Sequence, residues 1–292
     1  MVYVSAMLNP FREFKRVAAV AVMLTAAFNM AACHKKDAPA PKDQKPEYGF
    51  CYYGCPTGAP SSDRVIQRSL YALSNNKDTK FADWVAYTIS KATIGPDRHR
   101  VWHKDPDLPA NETLRLRDYK HAFTDLHAEF GHQAPLSSLS GSPDWEQADY
   151  LSNATPQNAD LNDGAWKGLE TAERKLVEKY GHEVHSVTGT LYERKMPGLK
   201  HAHAPHKVPS GYWKMITVIE NDKLLTATFI MDQNTKVGTD FCTTAVVIGD
   251  VNHRAHITLL PKMPEAERKE IDKSPGSLLL ELGCKQTPRP SF

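Results

Sequence analysis

The sequence lacks a long apolar run, an internal repeat and a large excess of charge of either sign. A membrane-spanning helix needs about 20 consecutive apolar residues, and the run Val17 to Met30 is shorter and rich in alanine. Without a repeat, the chain is not a solenoid or a propeller. The formal net charge is only +2 over 292 residues, so any affinity for nucleic acid must come from a local basic patch. The hydrophobic fraction of 41% suits a soluble chain with one large domain or two small ones.

The first 32 residues have the features of an export signal. Basic side chains precede the apolar run, and two alanines lead to Cys33. This order predicts a bacterial lipoprotein signal over residues 1–32, with Cys33 as the lipidated residue and the only attachment to a membrane. A plain secretory signal is the alternative, because Met30 stands where lipoprotein signals prefer leucine. Since His34 is not aspartate, the outer membrane is favoured for a lipoprotein; the alternative locations are the periplasm and the extracellular space.

The segment after Cys33 is rich in proline and lysine and has no large apolar residue. We therefore predict a flexible tether over residues 33–47 and a folded domain over residues 48–292. Strands are predicted from Val65 to Leu73, from Phe81 to Ile89 and in SVTGTLYER, GYWKMITVIE and LLTATFIMD, because these runs are β-branched and aromatic. TTAVVIGDV is either strand or helix. The pattern predicts an α+β fold with antiparallel strands and few helices.

The clearest helix is predicted in AWKGLETAERKLVEKYG, where apolar residues recur at helical spacing. Either Asn162 or Asp163 is expected to cap it, and Gly181 is expected to end it. Some helix is also predicted between Leu114 and Phe123, and MPEAERKEIDK is predicted as a short helix.

The chain has five cysteines, an odd number. Cys51 and Cys55 lie close together near the start of the predicted domain, and Cys242 and Cys284 lie near its end. Disulfide bonds within these two pairs would leave Cys33 for a lipid, and an oxidising compartment favours them. A zinc site at Cys51 and Cys55 is the alternative, although a second close pair of thiols is missing.

The stretch from Glu129 to Glu170 holds the residue types that metal-assisted phosphodiester cleavage needs. This chemistry uses a base that activates water, a divalent metal and cations that stabilise the extra charge. His132 is the candidate base, and Asn162 is the candidate ligand for a hard ion such as Mg²⁺. Glu170 lies two helical turns after Asn162, so the two side chains could border one site, with Glu170 holding a metal-bound water.

Each of these residues also has a purely structural interpretation. A histidine after glycine is often structural, Asn162 could simply cap the helix, and Glu170 with Arg174 could form a solvated i,i+4 ion pair. The loop KHAHAPHK, from Lys200 to Lys207, holds three histidines that could bind a transition metal. It has no neighbouring cysteine or carboxylate, so a structural role is expected.

Taken together, the strings GHQAPL, LSNATPQNADLN, GAWKGLE and ERKL resemble the DNA/RNA non-specific endonucleases of the His-Me finger, or ββα-metal, class. Further similar strings follow the same order: CYYGCPTG, KFADWVAYTI, RVW with KDP, LYER, PSGYWK, IMDQNT, DFC and GCK. The resemblance covers residues 51 to 285. It implies a ββα-metal nuclease in which a central antiparallel sheet is flanked by helices.

The resemblance also implies a role for each site residue. It makes His132 the general base, Asn162 the sole direct protein ligand of Mg²⁺, and Glu170 the carboxylate that holds a metal-bound water. It makes Arg100 a residue that stabilises the transition state, and Mn²⁺ a possible replacement for Mg²⁺. Supporting roles around the metal and the phosphate are implied for Glu129, Asn153, Gln157 and Arg174. The pairs Cys51–Cys55 and Cys242–Cys284 match the family's two disulfides, which counts against zinc.

The chain departs from the family pattern Asp-Arg-Gly-His at Glu129 and Phe130. Glu129 keeps a carboxylate, whereas Phe130 removes a guanidinium that the family uses on the phosphate. Arginines in phosphoryl transfer supply several orders of magnitude in rate. The hypothesis is that activity is reduced, that substrate preference is altered, or that a nearby cation substitutes. The candidate cations are Arg115, Arg117 and, behind them, Lys120.

The expected function is a Mg²⁺-dependent endonuclease that hydrolyses DNA and RNA without strong sequence preference and leaves 5′-phosphate ends. A basic patch, expected to bind phosphates, would comprise Arg98, Arg100, Arg115 and Arg117. The resemblance also implies a homodimer. The alternative function, which Phe130 favours, is a weakly active or inactive surface lipoprotein that binds nucleic acid.

Overall fold

The computed structural model describes residues 46–273 and 276–285. The predicted signal, the lipidation site Cys33 and residues 33–45 of the predicted tether lie outside the described residues. Glu47, at the end of that tether, pairs with Cys51 through the backbone, and its carboxylate accepts a hydrogen bond from the Cys55 N–H at 2.9 Å. Among the described residues, no helix is long and apolar enough to cross a membrane.

A seven-stranded antiparallel sheet forms the centre of the domain, with strand order β1-β2-β3-β6-β7-β8-β9. A separate two-stranded sheet pairs β4 with β5. The strands are β1 Arg64–Gln67, β2 Tyr71–Asn76, β3 Phe81–Ile89, β4 Ala128–His132, β5 Ala154–Asn158, β6 Val184–Leu191, β7 Gly211–Glu220, β8 Lys223–Asp232 and β9 Ala245–Val246. The predicted α+β class with antiparallel strands is therefore confirmed.

The run predicted as a single strand from Val65 to Leu73 is two strands, β1 and β2. Arg68 lies between them, where its guanidinium forms ion pairs with Asp105 and Asp107. The short turn lets β2 pair back on β1.

Residues of the central sheet alternate between two hydrophobic clusters, one on each face. On β3, Val85, Tyr87 and Ile89 belong to one cluster, whereas Trp84 and Ala86 belong to the other. This alternation follows from the two-residue period of a strand and buries both faces.

Short helices surround the sheet. The α-helices are α1 Ala122–Leu126, α2 Leu136–Leu139, α3 Ala159–Leu161, α4 Lys167–Tyr180, α5 Ile248–Ala255 and α6 Glu265–Ile271. The 3₁₀ turns are Leu116–Tyr119, Trp145–Asp149, Leu151–Asn153 and Phe241–Thr244. The region around Leu114 to Phe123 is thus a 3₁₀ turn and the start of α1, and TTAVVIGDV divides into β9 and α5.

The long helix α4 packs its apolar face against the sheet and ends where expected. Leu169, Leu176 and Val177 lie in the first cluster, and Gly181 adopts the left-handed conformation that terminates many helices, with φ of 76°. The predicted cap is wrong, because the helical path begins earlier. Asn158 caps α3 by accepting a hydrogen bond from the Asp160 N–H.

Both predicted disulfide bonds, Cys51–Cys55 and Cys242–Cys284, are present. The zinc alternative for Cys51 and Cys55 is therefore wrong, because a thiolate that is already in a disulfide cannot ligate a metal.

Candidate active site

Strand β4 carries His132 at its end and Glu129 near its start, and it pairs with β5. Gly131 lies between them, opposite Thr155, and a Cβ at Gly131 would collide with the side chain of Gln157. Glycine is therefore required for the close approach of β4 to the buried Gln157 side chain.

His132 is held by a buried carboxylate that the sequence analysis missed. Its Nε2 lies 3.0 Å from Oδ1 of Asp149, and Oδ2 of Asp149 accepts a hydrogen bond from the Val101 N–H at 2.7 Å. Since a carboxylate only accepts, Nε2 carries the proton and Nδ1 keeps the lone pair that a base requires. Loss of solvation lowers the pKa of His132, Asp149 opposes that shift and Arg100 adds to it. His132 is therefore neutral near pH 7.

The segment around Arg100 is hydrogen-bonded through its backbone to the 3₁₀ turns near Asp149. The His103 N–H donates to the Asp149 carbonyl at 3.0 Å, and the Leu151 N–H donates to the His103 carbonyl at 2.9 Å. This pairing of irregular segments places Arg100 and Trp102 beside His132.

Phe130 belongs to a chain of stacked rings that ends at His132. Tyr119 lies 4.0 Å from Phe130, Phe130 lies 4.8 Å from Trp102, and Trp102 lies 4.5 Å from His132, all between ring centroids. The interplanar angles are 21°, 23° and 29°. The ring of Phe130 therefore supports Trp102 and, through it, the imidazole.

One open cleft of about 450 Å³ contains three of the predicted catalytic side chains. His132, Arg100 and Glu170 line it together with Arg98 and Ser137. Arg115, Arg117 and Lys120, which were the candidate substitutes for the missing arginine, are exposed and do not line this cleft. The cations of the cleft are Arg98 and Arg100, so only half of the predicted basic patch reaches it.

Asn162 does not line this cleft, and its side chain contacts Glu129 instead. It opens a wide π-helical turn, Asn162–Trp166, in which Gly164 departs from helical geometry. Such turns often occur at functional sites, because they free a side chain from the helix. The Asn162 Nδ2 donates to Oε2 of Glu129 at 2.9 Å, which fixes the orientation of the amide and leaves Oδ1 available as an oxygen ligand.

Glu170 lies in the first turn of α4 and is half-buried. Loss of solvation raises its pKa to about 7, with the charge of Lys214 opposing the shift and that of Glu173 adding to it. A carboxylate in this environment gains from a nearby divalent cation, which would restore its ionised form.

A buried charged network underlies Glu170. Lys214 is fully buried, and its Nζ lies 2.8 Å from Oε2 of Glu173 and 2.7 Å from the Tyr87 hydroxyl. The Ser186 hydroxyl donates to the other oxygen of Glu173. The signal for this network was a lysine inside the apolar strand GYWKMITVIE, and sequence reasoning passed over it.

The three remaining supporting residues differ in position. Asn153 is fully buried, and its amide bonds the backbone of Ala134 and Ala148, so it fastens the chain that follows His132. Gln157 is buried behind Gly131. Arg174 reaches the cleft edge, where it donates to the Ser137 hydroxyl at 2.9 Å.

The histidine-rich loop is structural in its contacts. His203 Nδ1 lies 2.5 Å from Asp118, and Nε2 of His206 accepts a hydrogen bond from the Leu199 N–H. Over residues 46–273 and 276–285, no group of three or more His, Cys, Asp or Glu side chains is arranged to hold a metal ion. A transition-metal site in this loop is thus not supported.

The oxygen donors of Asn162 and Glu170 fit a hard, well-hydrated cation. Asn162 offers one fixed amide oxygen, and Glu170 offers one carboxylate from the first turn of α4. Mg²⁺ keeps several waters and needs only one or two protein ligands, so a site with few ligating side chains suits it.

A pair of strands bearing a histidine, followed by a helical segment bearing an amide and a carboxylate, is the arrangement of the ββα-metal class of nuclease. The chain belongs to the DNA/RNA non-specific endonuclease family, whose profile it matches over residues 49–266. It is accordingly a phosphodiester hydrolase of a metal-dependent family. The predicted family and the ββα-metal fold are both confirmed.

Individual relatives agree with this assignment. A nuclease of Serratia marcescens is 43% identical over 238 residues, which cover 80% of this chain and 89% of the relative. A nuclease of a Nostoc species is 28% identical over 57% of this chain and 58% of its own length. The solved EndoG/EndoGI complex has a chain similar in fold, with a TM-score of 0.61 at 22% identity, covering 78% of this chain and 94% of that chain.

Replacing Asp149 by asparagine should lower kcat by about 10- to 100-fold, because a charged hydrogen bond that orients the base is lost. The pKa of His132 should fall further, since Asp149 is the group that raises it. Steady-state kinetics and NMR titration of His132 measure the two effects. The exposed pair His127 and Asp160, 3.2 Å apart, supplies the control: Asp160→Asn should leave both quantities unchanged. An unaltered pKa of His132 in Asp149→Asn would contradict the pairing.

Proposed function

We propose that the protein is a Mg²⁺-dependent endonuclease that cleaves DNA and RNA to 5′-phosphate products, with His132 as the general base. The observation that carries this proposal is the shared cleft of His132, Arg100 and Glu170, and the amide of Asn162, which Glu129 orients, adds to it. A binding protein has no physical need for a buried carboxylate that orients a neutral histidine.

Nδ1 of His132 takes a proton from the attacking water, and Asp149 stabilises the imidazolium that results. Arg100 and Arg98, at the cleft, neutralise charge that develops on the phosphate. A bound Mg²⁺ would supply Lewis-acid stabilisation of the leaving oxygen. Asn162 would hold it directly, and Glu170 would orient one of its waters.

Lack of sequence preference follows if the contacts go to phosphates. The cleft offers two guanidinium groups, and a phosphate carries no sequence information by itself. Because binding then depends on ionic contacts, affinity should fall as salt rises.

The test is cleavage of supercoiled plasmid and of RNA by the mature protein with Mg²⁺, with Mn²⁺ and with EDTA. Both metals should support cleavage, EDTA should abolish it, and the new ends should be ligatable 5′-phosphates. Undiminished cleavage in EDTA, or 5′-hydroxyl ends, would contradict the proposal. Intact plasmid after long exposure to Mg²⁺ would instead favour the second candidate, the weakly active nucleic-acid-binding lipoprotein, for which the motivating feature is Phe130.

Export is part of the same proposal. The leader sequence, with two disulfide bonds in the domain, supports a location outside the cytoplasm, either on the outer membrane through Cys33 or in the periplasm or the medium. Mass spectrometry of the mature N-terminus distinguishes a lipidated Cys33 from a plain cleavage. The homodimer that the resemblance implies remains a proposal, which sedimentation of the purified domain tests.

A further inference from the structure

A second hollow of about 380 Å³ opens beside the catalytic cleft, and Arg100 lines both. Its walls include Trp102, Tyr119, Phe123 and Phe130, and we call it the aromatic pocket. Its volume lies in the range of small-ligand sites. The rings of Tyr119, Phe130 and Trp102 are stacked on one another, so these walls are rigid.

Phe123 is the unusual member of the aromatic pocket. Its side chain is 53% exposed, although phenylalanine gains free energy when it leaves water. It lies on the short helix α1, beside the rim of the hollow. An aromatic side chain left in solvent at the edge of a ring-lined hollow is poised to cover a flat ligand.

The charges of the aromatic pocket indicate which part of a nucleotide it takes. Glu129 lines its wall, so a phosphate in the hollow would meet a carboxylate. Arg100, the residue shared with the cleft, stands at the boundary between the two. A phosphate therefore belongs in the cleft, next to His132, and an uncharged ring belongs in the aromatic pocket.

We propose that the aromatic pocket is a nucleobase subsite, which takes one unstacked base adjacent to the phosphate that is cleaved. This inference rests on the proposed nuclease function and adds a substrate preference to it. Stacking on aromatic rings tolerates every base, because each has a π-face, so the subsite is compatible with cleavage at any sequence.

A further hollow adjoins the aromatic pocket on the side away from the cleft. A third hollow, of about 560 Å³, shares Phe123, Thr124 and Ala128 with the aromatic pocket and adds the polar side chains of Asn158 and Gln233. The three hollows thus adjoin one another in series, starting at His132. A polynucleotide fits such a path better than an isolated small molecule does.

The subsite predicts a preference for single strands. A base inside a duplex must leave its stack before it enters the aromatic pocket, and this costs free energy, whereas a single-stranded base is already accessible. At equal salt, kcat/KM should therefore be higher for single-stranded than for double-stranded DNA of the same sequence.

The test uses single-stranded oligonucleotides with one cleavable phosphodiester among nuclease-resistant linkages. In two further versions, the nucleoside on the 5′ or the 3′ side of that linkage is abasic. One abasic version should lose about 10-fold or more in kcat/KM, and the other should lose little. In Phe123→Ala the ratio between intact and abasic substrate should shrink, and in Phe123→Tyr, which keeps a ring, it should remain. Phe123 is exposed, so the alanine variant should fold.

A binding measurement separates this inference from the proposed function. Anisotropy of the same labelled oligonucleotides with the His132→Ala protein in EDTA reports the subsite without catalysis. The Kd should rise about 10-fold when the critical base is missing. Equal Kd for intact and both abasic strands would overturn the subsite, whatever the activity. If the unaltered protein cleaved no substrate but Kd still depended on the base, the nuclease proposal alone would be overturned.

Discussion

Replacing His132 by alanine is expected to lower kcat for phosphodiester cleavage by about 10²- to 10⁴-fold, the usual contribution of a general base. The geometry explains why the loss should be that large. Asp149 fixes the tautomer of the imidazole, and loss of solvation keeps the ring neutral at neutral pH. In the alanine variant, the attacking water would have to lose its proton without a positioned base. Initial rates on a labelled oligonucleotide at saturating Mg²⁺ measure the effect.

Chemical rescue distinguishes loss of the base from loss of structure. Added imidazole should restore part of the His132→Ala rate, because it can occupy the vacated space beside Trp102 and accept the proton. His103→Ala is the matched control, since His103 is exposed and its backbone already holds the segment beside Tyr150. That variant should retain nearly full activity. A His132→Ala protein that keeps wild-type kcat would exclude His132 as the base.

Much of the fold was predictable because local pattern and burial agree. β3, β7 and β8 are β-branched and aromatic, and the sheet buries them on both faces, so composition and environment give the same answer. The end of α4 at Gly181 was also predictable, because glycine readily adopts the left-handed conformation that terminates a helix. In contrast, the break between β1 and β2 falls at Arg68, whose ion pairs join it to distant aspartates that no local pattern contains.

The site was predictable in its residues but not in its supports. His132, Asn162 and Glu170 lie in one stretch with a spacing that the resemblance assigns, and the fold brings His132 and Glu170 to one cleft. Asp149 was missed because its role depends on a 3₁₀ turn that aims one carboxylate at the histidine. The cap that was the structural alternative for Asn162 does not form, because Asn162 opens a π-helical turn and its side chain donates to Glu129.

Phe130 shows how structure changes the meaning of a substitution. In the sequence it is a lost guanidinium, for which the hypotheses were reduced activity, altered substrate preference or replacement by a nearby cation. In the fold it is one ring in a stack that reaches from Tyr119 to His132. The same side chain thus supplies an apolar wall where the family pattern has a cation, and of the three hypotheses this favours altered substrate preference.

Replacing Lys214 by methionine is expected to destabilise the protein by about 3–5 kcal/mol, the cost of leaving a buried carboxylate without its partner. Lys214 and Glu173 both have fully buried side chains, 2.8 Å apart, so neither charge has access to water as a substitute. Denaturant unfolding with the disulfides intact measures the loss. The exposed pair Lys269 and Glu265 gives the control, because Lys269→Ala should cost less than about 1 kcal/mol.

The same substitution should shift the pH dependence of activity, because Lys214 lowers the pKa of Glu170, which is already raised to about 7. A carboxylate is ionised above its pKa. Removing the lysine charge raises the pKa of Glu170 further, so the acid limb of the rate profile should move to higher pH.

Adding Glu173→Gln to Lys214→Met removes the unpaired charge and should recover most of the stability, while Tyr87 and Ser186 keep a polar partner. If the double variant were no more stable than Lys214→Met, the loss would arise from packing, and the ion pair would not be its cause.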